Sequence, residues 1–409
     1  MHKKVHHCRI CESKGLSNVL TLGEQFLTGV FPKTPEKTIT KGPLELAWCS
    51  SCGLLQLQHS FALSEMYGEN YGYRSSLNAS MVAHLRHKIM TLQKFAQPAS
   101  SDLVLDIGSN DATSLKAYVG NFTKVGIDPT GLKFKEYYTD NLTLIPDFFS
   151  AKLFKEYFPG AKAKIVTSIA MFYDLENPLT FVKDVEAILK SDGIWHFEQS
   201  YMPSMLRTTA YDTICHEHLE FYSFNVVYKL LESCGLRVID VQMNAVNGGS
   251  FAVTACKKSA PYSSNLPVIH WLLKQEEDMG LDTPKPYRDF EERVFKHRKN
   301  LKDLVVALVA DGKKIIGYGA STKGNVLLQF CGFTTSHISC IAEVNKDKFG
   351  SFTPGSNIPI VSEAEARSMK PDYFLVLPWH FKHDILQRER AFMQQGGKFI
   401  FPLPEIEII

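Results

Sequence analysis

The chain has 409 residues, 44% of them hydrophobic and 22% charged, and its formal net charge at pH 7 is +2. This length and composition predict a globular protein of two or three domains. The balanced charge gives no sign of a nucleic-acid partner, and no apolar run is long enough to span a membrane. The polar N-terminal segment does not resemble a secretion signal, and nine cysteines do not fit a disulfide framework. We therefore expect a cytoplasmic protein whose thiols are free or bind metal.

Region 1–75 shows little helical periodicity and contains two Cys-x-x-Cys pairs, Cys8 with Cys11 and Cys49 with Cys52. Each such turn places two thiolates on one side of a zinc ion, so the two pairs together complete a tetrahedron. Four thiolates leave no open position, which predicts one structural zinc ion. Unmetallated cysteines remain an alternative, as does a site in which His6 or His7 replaces one cysteine. A nucleic-acid-binding ribbon is a further alternative, disfavoured because no basic and aromatic stripe surrounds the pairs.

A repeating pattern of strands and helices follows. Apolar residues from 77 to 92 recur at helical spacing, and Pro98 ends that helix. Short apolar runs at 104–107, 125–128, 165–168 and 193–197 are typical of buried strands. Because segments of helical length separate them, the sequence predicts a parallel sheet.

The turn after the first of these strands is a candidate cofactor site. Asp106, Gly108, Ser109 and Asn110 lie where a strand leads into a helix, and a glycine there lets the backbone approach a ligand closely. Asp128, at the end of the second strand, is placed to accept hydrogen bonds from ribose hydroxyls. A dinucleotide site is the alternative, but the loop holds one glycine and no G-x-G-x-x-G motif. The pattern favours S-adenosylmethionine, and Ser168 at the end of the third strand is a further candidate contact.

Segment 210–223 concentrates ionisable side chains after the fourth strand. His216 and His218 are two residues apart, so they point in different directions and one can act while the other packs. A histidine suits proton transfer near neutral pH, and Glu217 or Glu220 could orient it. Substrate binding without proton transfer, and packing alone, remain alternatives. Zinc binding is disfavoured, because His-Glu-His lacks the His-x-x-x-His spacing of helical zinc sites.

The C-terminal part begins with charged helical sequence over 278–308, which we interpret as a bridge of one or two helices. A second strand-turn-helix unit follows, with Gly317 and Gly319 in the turn and Lys323 after it. Such a turn can bind a phosphate, and Glu343 could contact a ribose. A tight turn with a solvated Lys323 is the alternative. Segments 338–342 and 373–377 predict further strands.

Taken together, the motifs resemble the sugar C-methyltransferases that act on nucleotide-linked keto-deoxysugars. The matching elements are Cys8-Arg9-x-Cys11, 43–46 leading into Cys49-x-x-Cys52, Tyr71-x-Tyr73-Arg74, 107–111, His216-Glu217-His218, and Gly317-x-Gly319 with Lys323-Gly324-Asn325. The resemblance implies an α/β protein of three parts. These are a small zinc-binding domain (1–75), a Rossmann-like class I methyltransferase domain (76–257), and a helical linker with a Rossmann-like sugar-nucleotide domain (258–409).

The resemblance also implies the chemistry, which is methylation at C3 of a nucleotide-linked 4-keto-6-deoxysugar by a monomeric enzyme. The 4-keto group acidifies the neighbouring C–H, a base forms an enolate, and its carbon attacks the methyl group of S-adenosylmethionine. His218 matches the base of the family, with Glu217, Tyr73 and His216 as further catalytic candidates. The implied substrate contacts are Tyr71, Arg74, Cys215, Tyr222, Gly319, Lys323 and Asn325.

Three positions depart from the pattern of the family. Cys215 stands where a tyrosine is usual, Tyr173 replaces a histidine, and Ala112 replaces a glycine. We expect the cofactor loop to tolerate Ala112 if its φ is negative. The first two changes leave the exact sugar and the methylated carbon open. An O- or N-methyltransferase and a catalytically weakened binding protein are the alternative functions. We also expect the zinc ion to fix the segment that carries Tyr73.

Overall fold

The computed structural model describes residues 2–35, 39–66, 73–139 and 141–409. Tyr71, a predicted substrate contact, lies outside them. Within these ranges no helix is both long and apolar enough to cross a membrane. The chain forms three main sheets, of four, seven and six strands, which confirms the predicted α/β class.

The N-terminal region is built from short strands. Its elements are β1 (Lys3–Lys4), β2 (Leu16–Phe26), β3 (Lys41–Cys49), β4 (Leu55–Leu57), β5 (His59–Ser60) and helix α1 (Leu63–Met66). Strands β2, β3 and β4 pair antiparallel in sequence order, and β1 pairs with β5. Cys49 ends β3 and Cys52 lies in the turn before β4, so the second cysteine pair closes this meander.

The central part alternates strands and helices. It contains α2 (Ala79–Ala96), β6 (Leu103–Ile107), α3 (Thr113–Lys116), β7 (Thr123–Ile127), β8 (Leu142–Ile145), α4 (Ala151–Tyr157), β9 (Ala163–Ile169), α5 (Pro178–Ile188), β10 (Leu189–Ser200), α6 (Met202–Thr208), β11 (Glu220–Phe221), α7 (Phe224–Ser233), β12 (Leu236–Asn244) and β13 (Ser250–Lys257). The seven strands lie in the order β12-β13-β10-β9-β6-β7-β8. Only β13 runs against its neighbours. All four strands predicted for this region are confirmed.

Helix α2 begins and ends where its sequence signals place it. The Asn78 side chain caps its N-terminus by accepting from the backbone N–H groups of Ser80 and Met81. The helix ends at Ala96, followed by Gln97 in the left-handed conformation and then Pro98. Its apolar face packs on the central sheet through Ile89 and Leu92.

Strand β11 leaves the central sheet and pairs antiparallel with β4. The N-terminal sheet therefore has the order β11-β4-β3-β2. As a result, β11, which lies near the end of the histidine-rich segment, forms one edge of a sheet. The turn between β3 and β4 of that sheet carries Cys49 and Cys52.

The C-terminal part contains α8 (Leu266–Asp278), α9 (Lys285–Ala310), β14 (Ile315–Tyr318), α10 (Thr322–Cys331), β15 (Ile341–Glu343), β16 (Ile360–Ser362), α11 (Glu363–Ser368), β17 (Tyr373–Val376), α12 (Lys382–Arg388), α13 (Arg390–Gln394), β18 (Lys398–Phe401) and β19 (Glu407–Ile408). Its sheet order is β16-β15-β14-β17-β18-β19, parallel except for β19. The predicted bridge is a helix pair, and its first helix begins earlier than expected, at Leu266. The strand expected at 338–342 is shorter and begins at Ile341.

A buried carboxylate joins α8 to the central part. Glu276 accepts hydrogen bonds from the backbone N–H groups of Phe224 (2.6 Å) and Asn225 (2.7 Å) at the start of α7. It also accepts one from the Tyr201 hydroxyl, at 2.7 Å. A negative charge at a helix N-terminus satisfies free N–H groups and interacts favourably with the helix dipole.

We predict that Glu276→Ala destabilises the protein by about 2–4 kcal/mol, because three donors lose a buried charged acceptor. Thermal unfolding of the zinc-loaded protein measures the effect, and Glu277→Ala is the matched control, since Glu277 is exposed on the same helix. Equal melting temperatures for the two variants would contradict this role of Glu276.

Candidate active site

The four predicted zinc ligands come together. The Sγ atoms of Cys8, Cys11, Cys49 and Cys52 all lie within 4.8 Å of one another. Cys8 Sγ is 3.5 Å from Cys52 Sγ, and Cys11 Sγ is 3.6 Å from Cys49 Sγ. A Zn–S distance of about 2.3 Å implies S–S separations of about 3.8 Å in a tetrahedron, so the cluster fits zinc. His6 and His7 are exposed and are not part of the cluster.

Arg9, between the first two cysteines, connects the zinc cluster to the segment after His218. Its side chain is almost fully buried and donates to the Leu57 carbonyl (2.5 Å) and to Ser60 Oγ (3.0 Å). Its Nε lies 3.7 Å from Glu220 Oε1. A backbone hydrogen bond makes the same connection, since the Leu57 N–H donates to the Leu219 carbonyl at 2.8 Å.

The predicted cofactor loop turns sharply after β6. Gly108 has φ +74°, Asn110 has φ +47° and Ala112 has φ +59°. The condition that we set for Ala112, a negative φ, is therefore not met. The loop forms nevertheless, because the Asn110 N–H donates to Asp128 Oδ2 at 2.7 Å and the Ala112 N–H donates to the Ser109 carbonyl at 2.9 Å. Ala112 is completely buried in this left-handed conformation, which costs a non-glycine residue about 1–2 kcal/mol.

Two buried carboxylates, Asp106 and Asp128, stand at the ends of β6 and β7. Burial raises the pKa of Asp106 to about 7, although Thr167 Oγ1 donates a 2.5 Å hydrogen bond to it. Asp128 Oδ1 accepts from the backbone N–H and the hydroxyl of Thr130, at 2.7 and 2.6 Å. Each carboxylate oxygen has two lone pairs, so Asp128 Oδ2 keeps one lone pair for a ribose hydroxyl.

A cavity of about 440 Å³ opens beside this loop and is large enough for a nucleoside with an amino-acid side chain. The predicted residues that line it are Tyr73, Asp106, Gly108, Ser109, Asn110 and Asp128. The donor set, with a left-handed glycine turn and two buried carboxylates, fits S-adenosylmethionine. Ser168 does not reach the cavity, because it is fully buried and its Oγ accepts from Trp195 Nε1 at 2.8 Å.

His218 has the tautomer that a base requires. Its Nδ1 lies 2.8 Å from the Thr213 carbonyl oxygen, which can only accept, so Nδ1 carries the proton and Nε2 has the free lone pair. The Tyr173 ring meets the imidazole edge to face, with 4.4 Å between centroids. Burial and the nearby Lys323 lower the pKa of His218 to about 3. Its ring lines a small cavity of about 10 Å³ next to Glu220, separate from the larger one.

The other residues of the His-Glu-His motif are buried against the N-terminal region. His216 packs edge to face on Phe61, with 4.6 Å between centroids, and is fully buried. The structure therefore assigns packing to His216 and does not bring it to either cavity. Glu217 lies so close to Gly29 that a Cβ there would be 2.0 Å from its Oε1. Burial raises the pKa of Glu217 above its ordinary value.

Lys323 points toward the histidine-rich segment. Its Nζ donates to the Asn247 carbonyl at 3.0 Å, and Asn247 lines the larger cavity. The buried carboxylate of Asp212 partly balances its charge, and Asp212 Oδ2 also accepts from Trp379 Nε1 at 2.8 Å. Burial and Lys323 lower the pKa of His380 to about 3. Sequence reasoning missed Asp212, Trp379 and His380, because no local pattern marks them.

The remaining predicted substrate contacts have structural partners. Tyr222 is buried and stacks on Phe172, and Asn325 is buried with its Nδ2 donating to the Thr28 carbonyl at 2.7 Å. Gly319 has φ +84°, and a Cβ there would be 2.6 Å from Pro378 Cδ. These three residues therefore maintain the packing between elements, and none of them lines either cavity.

Arg74 and Cys215 also lie away from the larger cavity. Arg74 Nη1 donates to the Tyr137 hydroxyl at 3.0 Å. Cys215 is buried, and burial raises the pKa of its thiol well above the ordinary value.

Glu343 is not positioned as predicted for a ribose contact. Its Oε2 accepts from the Ala320 N–H at 2.7 Å, and its Oε1 accepts from the N–H groups of Val344 and Asn345, both at 2.8 Å. The carboxylate therefore closes its own turn.

Comparison with known proteins agrees with this arrangement. Residues 8–67 match the model of a zinc binding domain, and residues 245–404 match that of the C-methyltransferase C-terminal domain. The C-methyltransferase NovU of Streptomyces niveus is 31% identical over 411 residues, covering 100% of this chain and 97% of NovU.

Two solved methyltransferase structures align with part of the chain. The magnesium protoporphyrin IX methyltransferase ChlM of Synechocystis PCC 6803 is 12% identical over 44% of this chain and 85% of its own, with a TM-score of 0.33. The plantazolicin methyltransferase BpumL is 10% identical over 45% and 87%, with a TM-score of 0.37. The assignment depends on the sequence match over the full length. The chain belongs to the family of S-adenosylmethionine-dependent C-methyltransferases that includes NovU.

Proposed function

We propose that the protein methylates C3 of a nucleotide-linked 4-keto-6-deoxysugar. The observation that carries this proposal is the tautomer of His218, whose Nε2 is free while Nδ1 donates to the Thr213 carbonyl. A carbon nucleophile must first lose a proton, whereas oxygen and nitrogen acceptors already hold a lone pair. A base is therefore obligatory for C-methylation and only optional for the O- and N-methylation alternatives.

The 4-keto group supplies the required acidity, because the negative charge left by proton loss moves onto its oxygen. Bound S-adenosylmethionine supplies an electrophilic methyl group. His218 Nε2 removes the proton from the carbon next to the ketone. The Thr213 carbonyl stabilises the resulting imidazolium, since a proton donor at Nδ1 then carries more positive charge.

The position of Lys323 supports the proposal that an anionic group of the substrate binds near His218. It is a cation within electrostatic reach of His218, and its Nζ contacts the carbonyl of a residue that lines the larger cavity. A diphosphate group or an enolate oxygen would be stabilised by this charge. Either anion would also offset the effect of Lys323 on His218, which raises the pKa of the base.

We predict that His218→Asn lowers kcat by about 10²- to 10⁴-fold. The asparagine amide still donates to the Thr213 carbonyl but has no basic nitrogen, so it tests the base and spares the hydrogen bond. Affinity for S-adenosylmethionine, measured by calorimetry, should stay unchanged. In deuterated water the wild-type enzyme should introduce deuterium at C3, and the variant should not. Deuterium or methyl at C5, or methyl on oxygen or nitrogen, would refute the C3 assignment.

A second prediction concerns pH. Because the pKa of His218 in the free enzyme is lowered to about 3, the base is already unprotonated across the working range. The value of kcat/KM reports free-enzyme ionisations, so it should show no acidic limb from this group above about pH 5. A pH profile of kcat/KM measures this. A limb near pH 6.5 that is absent from the His218→Asn variant would contradict the prediction.

The contacts of the zinc cluster support a role at the His218 segment, in addition to the role that we expected at Tyr73. In the described residues, the cluster connects through Arg9 and β4 to β11 and thus to the His218 segment. Tyr73 instead contacts the cofactor loop, since its carbonyl accepts from Asn110 Nδ2 at 3.2 Å.

We therefore predict that zinc removal lowers kcat and increases hydrogen exchange in β11 and at the Leu57 amide, which donates to the Leu219 carbonyl, with a smaller effect on cofactor affinity. Chelation followed by hydrogen-exchange mass spectrometry tests this. Cys234→Ser is a control that should keep zinc and activity, because Cys234 lies outside the cluster. Full turnover after complete zinc removal would show that the prediction is wrong.

A further inference from the structure

A further charged residue lines the larger cavity and takes no part in the reaction proposed for the sugar substrate. Glu198, near the C-terminal end of β10, lines the cavity with a side chain that is only 3% exposed. His84 Nε2 donates to its Oε1 at 2.6 Å. Lys88 Nζ (2.8 Å) and Asn244 Nδ2 (2.9 Å) donate to its Oε2. Helix α2 and strand β12 thus hold the carboxylate from behind.

Three donors fix Glu198 in its ionised form. Burial alone would raise its pKa, but the hydrogen bond from His84 and the charge of Lys88 lower it to about 2. His196, two residues earlier on β10, stays neutral because burial lowers its pKa to about 3. Burying an ion pair usually brings little or no net stability. A carboxylate held ionised in a cavity wall is therefore a candidate for ligand binding.

Next to Glu198, the part of the chain that the structure describes has a buried side-chain amide without a hydrogen-bond partner. Gln199 lines the same cavity and is 1% exposed, and among the described residues neither end of its amide has a hydrogen-bond partner. Buried amides are normally hydrogen-bonded, so this one indicates a polar ligand.

The cofactor carries two positive charges, its α-ammonium and its sulfonium. Methyl transfer to an enolate removes the sulfonium charge, so a carboxylate at the sulfur would stabilise the reactants more than the transition state. A carboxylate at the ammonium has no such effect, because that charge persists throughout the reaction. We propose that Glu198 is the binding site for the α-ammonium group of S-adenosylmethionine, held in place by His84, Lys88 and Asn244.

Calorimetry of Glu198→Gln without sugar substrate tests this independently of the acceptor. Three ligands are compared: S-adenosylmethionine, S-adenosylhomocysteine, which lacks the sulfonium charge, and methylthioadenosine, which lacks the amino acid. We expect about ten- to hundred-fold weaker binding of the first two and unchanged binding of the third. Loss for S-adenosylmethionine alone would overturn the ammonium assignment in favour of the sulfonium. Unchanged affinities, or equal loss for all three ligands, would overturn the site itself.

Two further variants guard the result. Asp184→Asn removes another carboxylate that lines the same cavity, and it should leave all three affinities unchanged. The double variant Glu198→Gln/Lys88→Met removes the lysine charge that the single variant leaves unpaired. If it binds methylthioadenosine normally but not the two amino-acid ligands, the loss belongs to the carboxylate and not to misfolding. If it restores S-adenosylhomocysteine binding, Glu198 does not bind the ammonium group.

Discussion

The pairing of β11 with β4 is the interaction on which the arrangement of the site depends. Strand β11 has two residues, too few to hold a position alone, and it directly follows the His218 turn. Its register, Glu220 against Gln56 and Phe221 against Leu55, is set by a sheet that carries two of the zinc ligands. Zinc binding contributes folding energy to this small sheet. The position of His218 is therefore coupled to a structural metal site.

Three buried charges at the centre each have a counter-charge on a different element. Glu198 on β10 meets Lys88 on α2, and Lys323 on α10 meets Asp212 before the histidine turn. Arg9 in the zinc knuckle meets Glu220 on β11. Breaking such a pair leaves one buried charge uncompensated, which costs more than the pair contributes. Of the three pairs, that of Lys323 with Asp212 connects the C-terminal part to the central part.

Much of the central part could be predicted from sequence because its signals are local. Buried parallel strands are continuous apolar runs, and the four predicted runs correspond to β6, β7, β9 and β10. The cysteine quartet was equally predictable, since Cys-x-x-Cys turns specify their own geometry. Strands β4 and β5 were missed because they have three and two residues, too short to show a period, and the longer β2 and β3 were missed because their buried positions do not alternate regularly. The conformation of Ala112 was also missed, since only tertiary bonds from the loop to Asp128 hold a non-glycine residue there.

Glu198, Asp212 and His380 were not predictable for a different reason, because each acquires its role from a partner far away in sequence.

The C-terminal part shows why a fold does not specify the use of its crevice. Its glycine turn resembles a phosphate-binding loop, but the donors there are already occupied. Ala320 N–H binds Glu343, and Gly324 N–H binds Ser321 Oγ at 3.0 Å. Lys348 Nζ donates to the Ala320 carbonyl at 2.8 Å and lies 4.3 Å from the centroid of the Phe31 ring. An anion at this turn would have to displace these bonds, so the crevice at the end of β14 is closed.

Side chains of α10 contact the other two parts of the chain. Lys323 reaches Asn247 of the central part, while Asn325 holds the Thr28 loop of the N-terminal part. The first turn of this helix therefore joins all three parts of the chain, and its single ammonium group faces the catalytic segment. Lys323 therefore lies where the parts of the chain meet and not in the crevice at the end of β14. Under the proposed function, an anionic group of the substrate at Lys323 would raise the pKa of His218 as well as contribute to binding.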